Sequence, residues 1–286
     1  MFVDIHCHLL PGIDDGADDL ATAIQMARLA VQDGTSVALV TPHQMDRYRH
    51  NTATIIRDAC CSLQHELQKN DIELQLLPGG DVRIEADFFD RLDDDTIMTL
   101  ADQRRHVLLE LPHELYFPIE NLVKRLQALG MTGILSHPER NAGLMQSPKI
   151  IDQLVDLGCL MQVTAGSING SFGPECAKFS KQLLKNRLVH FVASDGHGIK
   201  RRRPTLRRAF EKSIQWIGIE TAEQIFFDYP NRVALGKSVP LGKLCAANQG
   251  RPIAREASSC EPTERGRPNR KRWFGWTKAA RTAQGS

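Results

Sequence analysis

What most constrains this chain is where its reactive residues fall relative to its apolar runs. Short apolar stretches of strand length alternate with amphipathic stretches of helical period, and histidines and carboxylates gather at the joins. Met1 to Ile5 ends in His6-Cys7-His8, Ser36–Val40 in Thr41-Pro42-His43, and Ile72–Leu77 in Pro78-Gly79-Gly80-Asp81. Farther on, His106–Leu111 carries Glu110 near its end. Thr132–Leu135 runs into Ser136-His137-Pro138-Glu139-Arg140, and Val189–Ala193 into Ser194-Asp195-Gly196-His197-Gly198. A further strand is expected over Leu160–Val163. Helices are expected over residues 18–32, 52–69, 119–129, 150–157, 175–185, 205–217 and 222–227, with a short turn at 230–235. Such alternation means βαβ units and a parallel sheet. In a closed α/β barrel the loops after the strands share one rim, whereas an open doubly wound sheet spreads them along a crevice. About seven strands point to a closed α/β barrel of seven strands rather than eight.

Charge divides the chain. Residues 241–286 hold ten Lys/Arg against three Asp/Glu, which leaves 26 against 31 in residues 1–240. An acidic body argues against a nucleic-acid-binding core and suits a cavity lined by carboxylates. The barrel is assigned to residues 1–240. Residues 241–286, rich in Arg, Pro, Gly and Ser toward their end, are expected to form a disordered basic tail. Within it, Arg270-Lys-Arg-Trp-Phe-Gly-Trp276 could touch an acidic membrane surface or a partner. The seven cysteines are odd in number and scattered, with no CxxC, which fits reduced thiols in the cytoplasm. No apolar run reaches the ~20 residues of a membrane span.

The chemistry starts at His6-Cys7-His8. Alternate strand residues point the same way, so His6 and His8 project together, and the turn that follows offers Asp14 and Asp15. His-x-His alone is a weak signal. The recurrence at other strand ends strengthens it: five histidines (6, 8, 43, 137, 197) and four carboxylates (Asp15, Asp81, Glu110, Asp195) exceed what one tetrahedral ion uses. A mixed set of this size suits two or three divalent ions such as Mn²⁺, Fe²⁺ or Zn²⁺. Clustered cations lower the pKa of a bridging water and clamp a displacement at phosphorus. Arg140, after His137, and Arg201–Arg203, after His197, supply guanidinium forks for phosphate oxygens. Together these residues point to phosphoester hydrolysis.

His6-Cys7-His8, Thr41-Pro42-His43, Ser136-His137-Pro138-Glu139-Arg140 and Ser194-Asp195-Gly196-His197 resemble the polymerase-and-histidinol-phosphatase (PHP) superfamily. His8-Leu-Leu-Pro-Gly-Ile-Asp-Asp-Gly-Ala17 and Gln162-Val-Thr-Ala-Gly-Ser-Ile-Asn-Gly-Ser-Phe-Gly173 are similar to the metal-dependent tyrosine-protein phosphatases of bacterial capsule and exopolysaccharide loci. The resemblance covers residues 1–240. It implies a distorted (β/α)7, TIM-like barrel of the PHP fold with a trinuclear, usually manganese-dependent site, Fe²⁺, Zn²⁺ or Co²⁺ being alternative ions. His6, His8, Glu110 and Asp195 would hold one ion, with Glu110 bridging, and His137 would serve a second. Asp15, His43, Asp81 and His197 would complete the set, and Arg140 and Arg203 would contact phosphate. A metal-bridging hydroxide would attack phosphorus directly, with no phosphoenzyme. The expected partner is a phosphotyrosine protein, a polysaccharide-assembly tyrosine kinase. Alternatives are a phosphatase for a small metabolite such as histidinol phosphate, a phosphodiesterase, and a non-catalytic metal-binding regulator.

Two departures qualify the match. Asp81 stands where the family has Glu, one methylene shorter, so that ligand is expected to reach through water. Gly196 and Gly198 flank His197 where a small residue and Asn are usual, so a looser loop is expected. Asp14 is the weaker neighbour of Asp15, and Glu139 is expected behind the ligands rather than among them. His50, His65, His106, His113 and His190 are read as surface or strand residues. Cys245 to Arg251 has the Cys-x₅-Arg spacing of cysteine-dependent tyrosine phosphatases, but without the flanking strand and helix that would activate the thiol.

Overall fold

The computed structural model describes residues 1–244; the bulk of the expected tail and the Cys245–Arg251 pair lie outside the described residues. Nine strands are described: β1 (Phe2–Cys7), β2 (Thr35–Val40), β3 (His43–Gln44), β4 (Gln75–Pro78), β5 (Asp81–Arg83), β6 (His106–Glu110), β7 (Thr132–Ser136), β8 (Leu160–Thr164) and β9 (Phe191–Ala193). They form two parallel sheets, β1-β2-β4 and β3-β5-β6-β7-β8-β9. The fold is therefore mixed α/β with parallel sheets.

The split between the sheets has a local cause. Thr41-Pro42 interrupts one strand and Gly79-Gly80 its neighbour, since proline cannot donate to a ladder and glycine weakens one. The pairing stays in step across the break, with Val40 opposite Pro78 and then His43 opposite Asp81. So β3 and β5 continue β2 and β4 after a kink, and the nine strands occupy seven positions. A further parallel bridge joins Cys7 to Gly196, linking the end of β1 to the chain just after β9.

Helices pack where the 3.6-residue period requires. Helix α1 (Leu20–Asp33) is capped by Asp19, whose carboxylate accepts from Thr22 N at 2.7 Å, and ends at Gly34 with φ 106°. Its buried face, Ala23, Met26, Ala27 and Ala30, joins Ile56, Cys60, Leu63 and Leu67 of α2 (Ala53–Lys69) in one core cluster that includes Ala38 and Val40 of β2. Small alanines let α1 approach closely while the longer α2 residues fill the gap. Leu63→Ala would cost about 2–5 kcal/mol through its transfer and cavity terms.

Three expectations need adjusting. The strand expected from Ile72 starts at Gln75, because Asp71 has φ 53° and Leu74 N turns back to Ile72 O at 2.9 Å. Short helices at Phe88–Asp93, Ala142–Gln146 and Ala165–Asn169 were not expected, each having too few turns to show a period. Residues 241–244, assigned to the tail on composition, belong to the body: Leu244 is buried, and Gly242 O accepts from His190 Nε2 at 2.9 Å. Among the described residues no helix is long and apolar enough to cross a membrane.

Candidate metal centre

The strand ends deliver their side chains to one place. His6, His8, Asp81, Glu110, His137 and Asp195 are all buried, and His43 and His197 are partly so. His6 Nε2 lies 3.1 Å from His8 Nε2, 3.5 Å from Asp81 Oδ2 and 3.4 Å from Asp195 Oδ1. His43 bridges outward, its Nδ1 3.3 Å from Asp81 and 3.6 Å from Glu110, and its Nε2 3.3 Å from Asp15. His197 Nε2 is 3.6 Å from the same Asp15 oxygen, and its Nδ1 is 3.4 Å from Asp195 Oδ1. Three overlapping groups have ligand atoms within 4.8 Å of one another: His8/Asp15/His43/His197, His6/His8/Asp81 and His43/Asp81/Glu110. His137 stands beside them, its ring 5.8 Å from that of His6.

Neighbours fix the direction of these donors. His8 Nδ1–H donates to Asp14 Oδ2 at 2.6 Å and His6 Nδ1–H donates to Gln162 Oε1 at 2.8 Å. Each ring in its neutral form then turns an Nε2 lone pair into the pocket, the arrangement that orients metal-binding histidines. Two imidazole nitrogens on one ion at ~2.1 Å sit roughly 3.0–3.4 Å apart, which the 3.1 Å separation of His6 and His8 matches. Asp14 also accepts from the backbone N–H of Gly16 and of His43, so one carboxylate ties the first two loops together.

Backbone strain completes the aim. His137 (φ 35°) and Asp195 (φ 51°) occupy the left-handed region just after β7 and β9, a cost that clusters at functional positions. Glycine is required at two tight approaches. A Cβ on Gly16 would sit 2.2 Å from His8 O, and one on Gly196 would sit 2.8 Å from Pro204 Cα. The loop around His197 is therefore not the loose one expected. Gly196 N–H donates to Ser194 Oγ, and Gly196 O accepts from His8 N.

The electrostatics are those of a concentrated anion cluster. Burial pushes the His6 imidazole down, but Asp81 and Asp195 outweigh it and raise it to about 9. His43 is likewise raised to about 11 by Asp15, Asp81 and Glu110 against its burial. Burial, with Asp81 beside it, pushes Glu110 up to about 7. Burial holds His8 well below the usual imidazole value, with His197 and His43 adding to it. Both carboxylate oxygens of Asp81, His43 Nδ1 and His197 Nε2 are buried without a hydrogen-bond partner. Such orphans are costly unless something satisfies them, and imidazole nitrogens with carboxylate oxygens are the donor set of Mn²⁺, Fe²⁺ and Zn²⁺. The residues fit divalent ions. Despite its shorter side chain, Asp81 stands directly among the other donors.

The arginines fall differently from expectation. Arg140 Nη1 and Arg202 Nη2 each donate to Asp195 Oδ2 at 2.6 Å, and both line the pocket of about 350 Å³ above the donors. Arg203 does not: its Nε donates to Ile199 O, and it lines a neighbouring cavity. The left-handed backbone at Arg202 (φ 48°) makes the difference. Asp14, Gln162, Arg202, Tyr48 and His113 were missed as site residues. Tyr48 stacks on His43 at 5.5 Å, and His113 lies 3.2 Å from Arg140 Nη2. Asp14 and Arg202 carried a signal as neighbours of residues already singled out, Gln162 opened a family-like stretch without a role of its own, and His113 was read as a surface or strand residue; Tyr48 carried none. Glu139 is fully buried behind the pocket, accepting from Thr164 N and Ser167 Oγ.

Residues 2–234 match the family model described as capsular polysaccharide synthesis, CpsB/CapC. This chain belongs to the CpsB/CapC family. Among its relatives, the tyrosine-protein phosphatase YwqE of Bacillus subtilis (strain 168) is 36% identical over 230 residues, 77% of this chain and 90% of YwqE. The putative tyrosine-protein phosphatase CapC of Staphylococcus aureus is 30% identical over 209 residues, 73% of this chain and 82% of CapC. A solved structure from work on YwqE and Streptococcus pneumoniae CpsB, described as unique metal-dependent tyrosine phosphatases, matches with a TM-score of 0.80. Its identity is 33% over 85% of this chain and 99% of its own. This CpsB/CapC member thus shares its fold with metal-dependent tyrosine phosphatases.

Proposed function

We propose that this chain is a divalent-metal-dependent protein-tyrosine phosphatase of capsule or exopolysaccharide synthesis. One observation carries the reading: imidazoles and carboxylates from six strand ends converge below two arginines, with both Asp81 oxygens buried among imidazoles and without a hydrogen bond. We infer that His6, His8, Asp15, His43, Asp81, Glu110, His137, Asp195 and His197 hold two or three ions, with Mn²⁺ the expected metal. Bound ions of this kind supply a nucleophile from water near neutral pH and neutralise charge on the phosphoryl group.

The chain's own residues do the rest. Arg140 and Arg202, fixed over the donors, grip the phosphoryl oxygens and stabilise charge that grows during the displacement. Arg202 takes the role first expected of Arg203. Asp14 and Gln162 hold the His8 and His6 rings in their ligating tautomers. Phenolate, with a parent pKa of ~10, departs with less protonation than an alkoxide needs. The seven strand positions and the Cys7–Gly196 bridge support a distorted (β/α)7 barrel of the PHP type, closed on itself. The free buried cysteines 7, 60, 159 and 176 support a reducing, cytoplasmic setting. The proposed substrate is the phosphotyrosine-bearing segment of a polysaccharide-assembly kinase.

The test is turnover of a phosphotyrosine peptide, a phosphoserine peptide and histidinol phosphate, each with Mn²⁺ and with chelator. The reading requires metal-dependent release from phosphotyrosine well above the other two. Preference for histidinol phosphate, or turnover surviving chelation, would refute it.

A further inference from the structure

Next to the pocket lined by the candidate metal ligands lies a second cavity of about 740 Å³, walled by Lys200, Arg201, Arg202, Arg203, Arg208 and Phe172 among others. The two cavities share Arg202, whose Nη2 reaches Asp195 at 2.6 Å while its Nε is buried without a partner. Phe172 stands at the junction, 4.4 Å from the Arg140 guanidinium and 6.0 Å from that of Arg202.

The charge of this cavity runs against everything around it. Residues 1–240 carry 26 Lys/Arg against 31 Asp/Glu, yet the lining holds five cations and no acid. Among the described residues, Lys200, Arg201 and Arg208 have no ion pair. Arg207 and Arg208 also open the helix Arg207–Ile217, which has no acid in its first turn. The N-terminus of that helix is already met by the Asp33 carboxylate, which accepts from Arg207 N at 2.9 Å, so the Arg208 charge is left for the cavity. A cavity that gathers five cations, most of them without an ion pair, and no acid is arranged for an anion.

We propose that this cavity is a second anion subsite for the protein substrate, taking a carboxylate or a second phosphate displayed a few residues from the scissile phosphotyrosine. The inference rests on the tyrosine-phosphatase reading and adds to it a preference for anionic sequence beside the phosphotyrosine. Arg202 and Phe172 form the shared wall over which the peptide passes. A guanidinium fork suits either oxyanion.

The experiment compares the Mn²⁺-loaded wild type with Arg201→Glu/Arg208→Glu and with the neutral pair Arg201→Gln/Arg208→Gln. Both positions are exposed, so the fold is not at stake, and thermal unfolding checks it. Substrates are phosphotyrosine peptides flanked by Ala, by Glu or by a second phosphotyrosine, with p-nitrophenyl phosphate as a phosphoester too small to reach the cavity. Wild type should show a KM about five- to ten-fold lower for anion-flanked peptides than for the Ala-flanked one, shrinking at high salt. The charge-reversed variant should lose that advantage and the neutral pair most of it, with kcat and p-nitrophenyl phosphate turnover unchanged. An advantage confined to the phosphotyrosine-flanked peptide identifies phosphate as the ligand, and one shared with Glu identifies any anion. Equal KM values across the flanks in wild type, or an equal loss on every substrate including p-nitrophenyl phosphate, would overturn the subsite while leaving the phosphatase reading intact. No turnover of any phosphotyrosine peptide would overturn both.

Discussion

The two cavities that meet at Arg202 are built in opposite ways. The donor-lined pocket draws its donors from strand ends between His6 and His197, and six of the nine are buried, with Asp15 exposed at the rim. Its rings are held from behind by Asp14 and Gln162, and its backbone is strained at His137 and Asp195. The basic cavity draws its cations from one segment, Lys200 to Arg208, and most of them are exposed. The first is a product of topology and is preorganised, as chemistry requires. The second is a product of local composition and is adaptable, as recognition of a variable peptide allows. Damage to the two should therefore differ in size and in kind.

The largest effect falls on the pocket floor. His6→Ala/His8→Ala should cut kcat by at least about a thousand-fold, because ion-borne stabilisation is worth several kcal/mol. Retained activity would break the distinction outright. Next come the arginines. Arg202→Ala should lower kcat/KM by about a hundred-fold, the scale of one lost oxyanion-type donor, and Arg203→Ala by far less. The reverse order would return the phosphate contact to Arg203 and merge the two cavities functionally. Asp14→Asn, which weakens the hold on His8 without touching the floor, should cost about 10–100-fold in metal affinity or activity, read by metal titration. The charge reversals in the basic cavity sit lower still and act on KM alone.

The smallest effect on activity belongs to His190, remote from both cavities. Met161 N–H donates to its Nδ1 and its Nε2–H donates to Gly242 O, which fixes the neutral tautomer. Burial depresses its pKa from 6.5 to about 4. A depressed folded pKa contributes stability above the unfolded value that is lost as pH falls toward the folded one. Stability against thermal unfolding should thus fall as pH drops from 6.5 to 4, and His190→Gln should flatten that limb while activity at neutral pH stays unchanged. An identical acid limb in the variant would remove His190 from the account.

Much of the pocket was legible because strand ends are legible. Short apolar runs mark strands, and parallel pairing puts every C-terminal end on one side, so His6, His43, Glu110, His137 and Asp195 could be grouped before any coordinates. What was hidden depended on turns. Nothing in the spacing shows that the chain resumes pairing after Thr41-Pro42 or Gly79-Gly80. The left-handed residue at 202 decides which of three adjacent arginines enters the pocket. The choice between Asp14 and Asp15 is made by a hydrogen bond to His8 that only the folded loop creates. Leu244 was grouped with a basic tail although it packs in the core, because composition averages over a boundary that a single leucine defines.

Metal content per chain tests the central claim most directly. Elemental analysis of protein purified in Mn²⁺ and freed of excess ion should find two or three divalent ions per chain. Asp81→Asn, which alters a carboxylate shared by two of the donor groups, should lose at least one. One ion or none in the wild type, or a count unmoved by Asp81→Asn, would contradict a site in which distant strand ends grip several cations together.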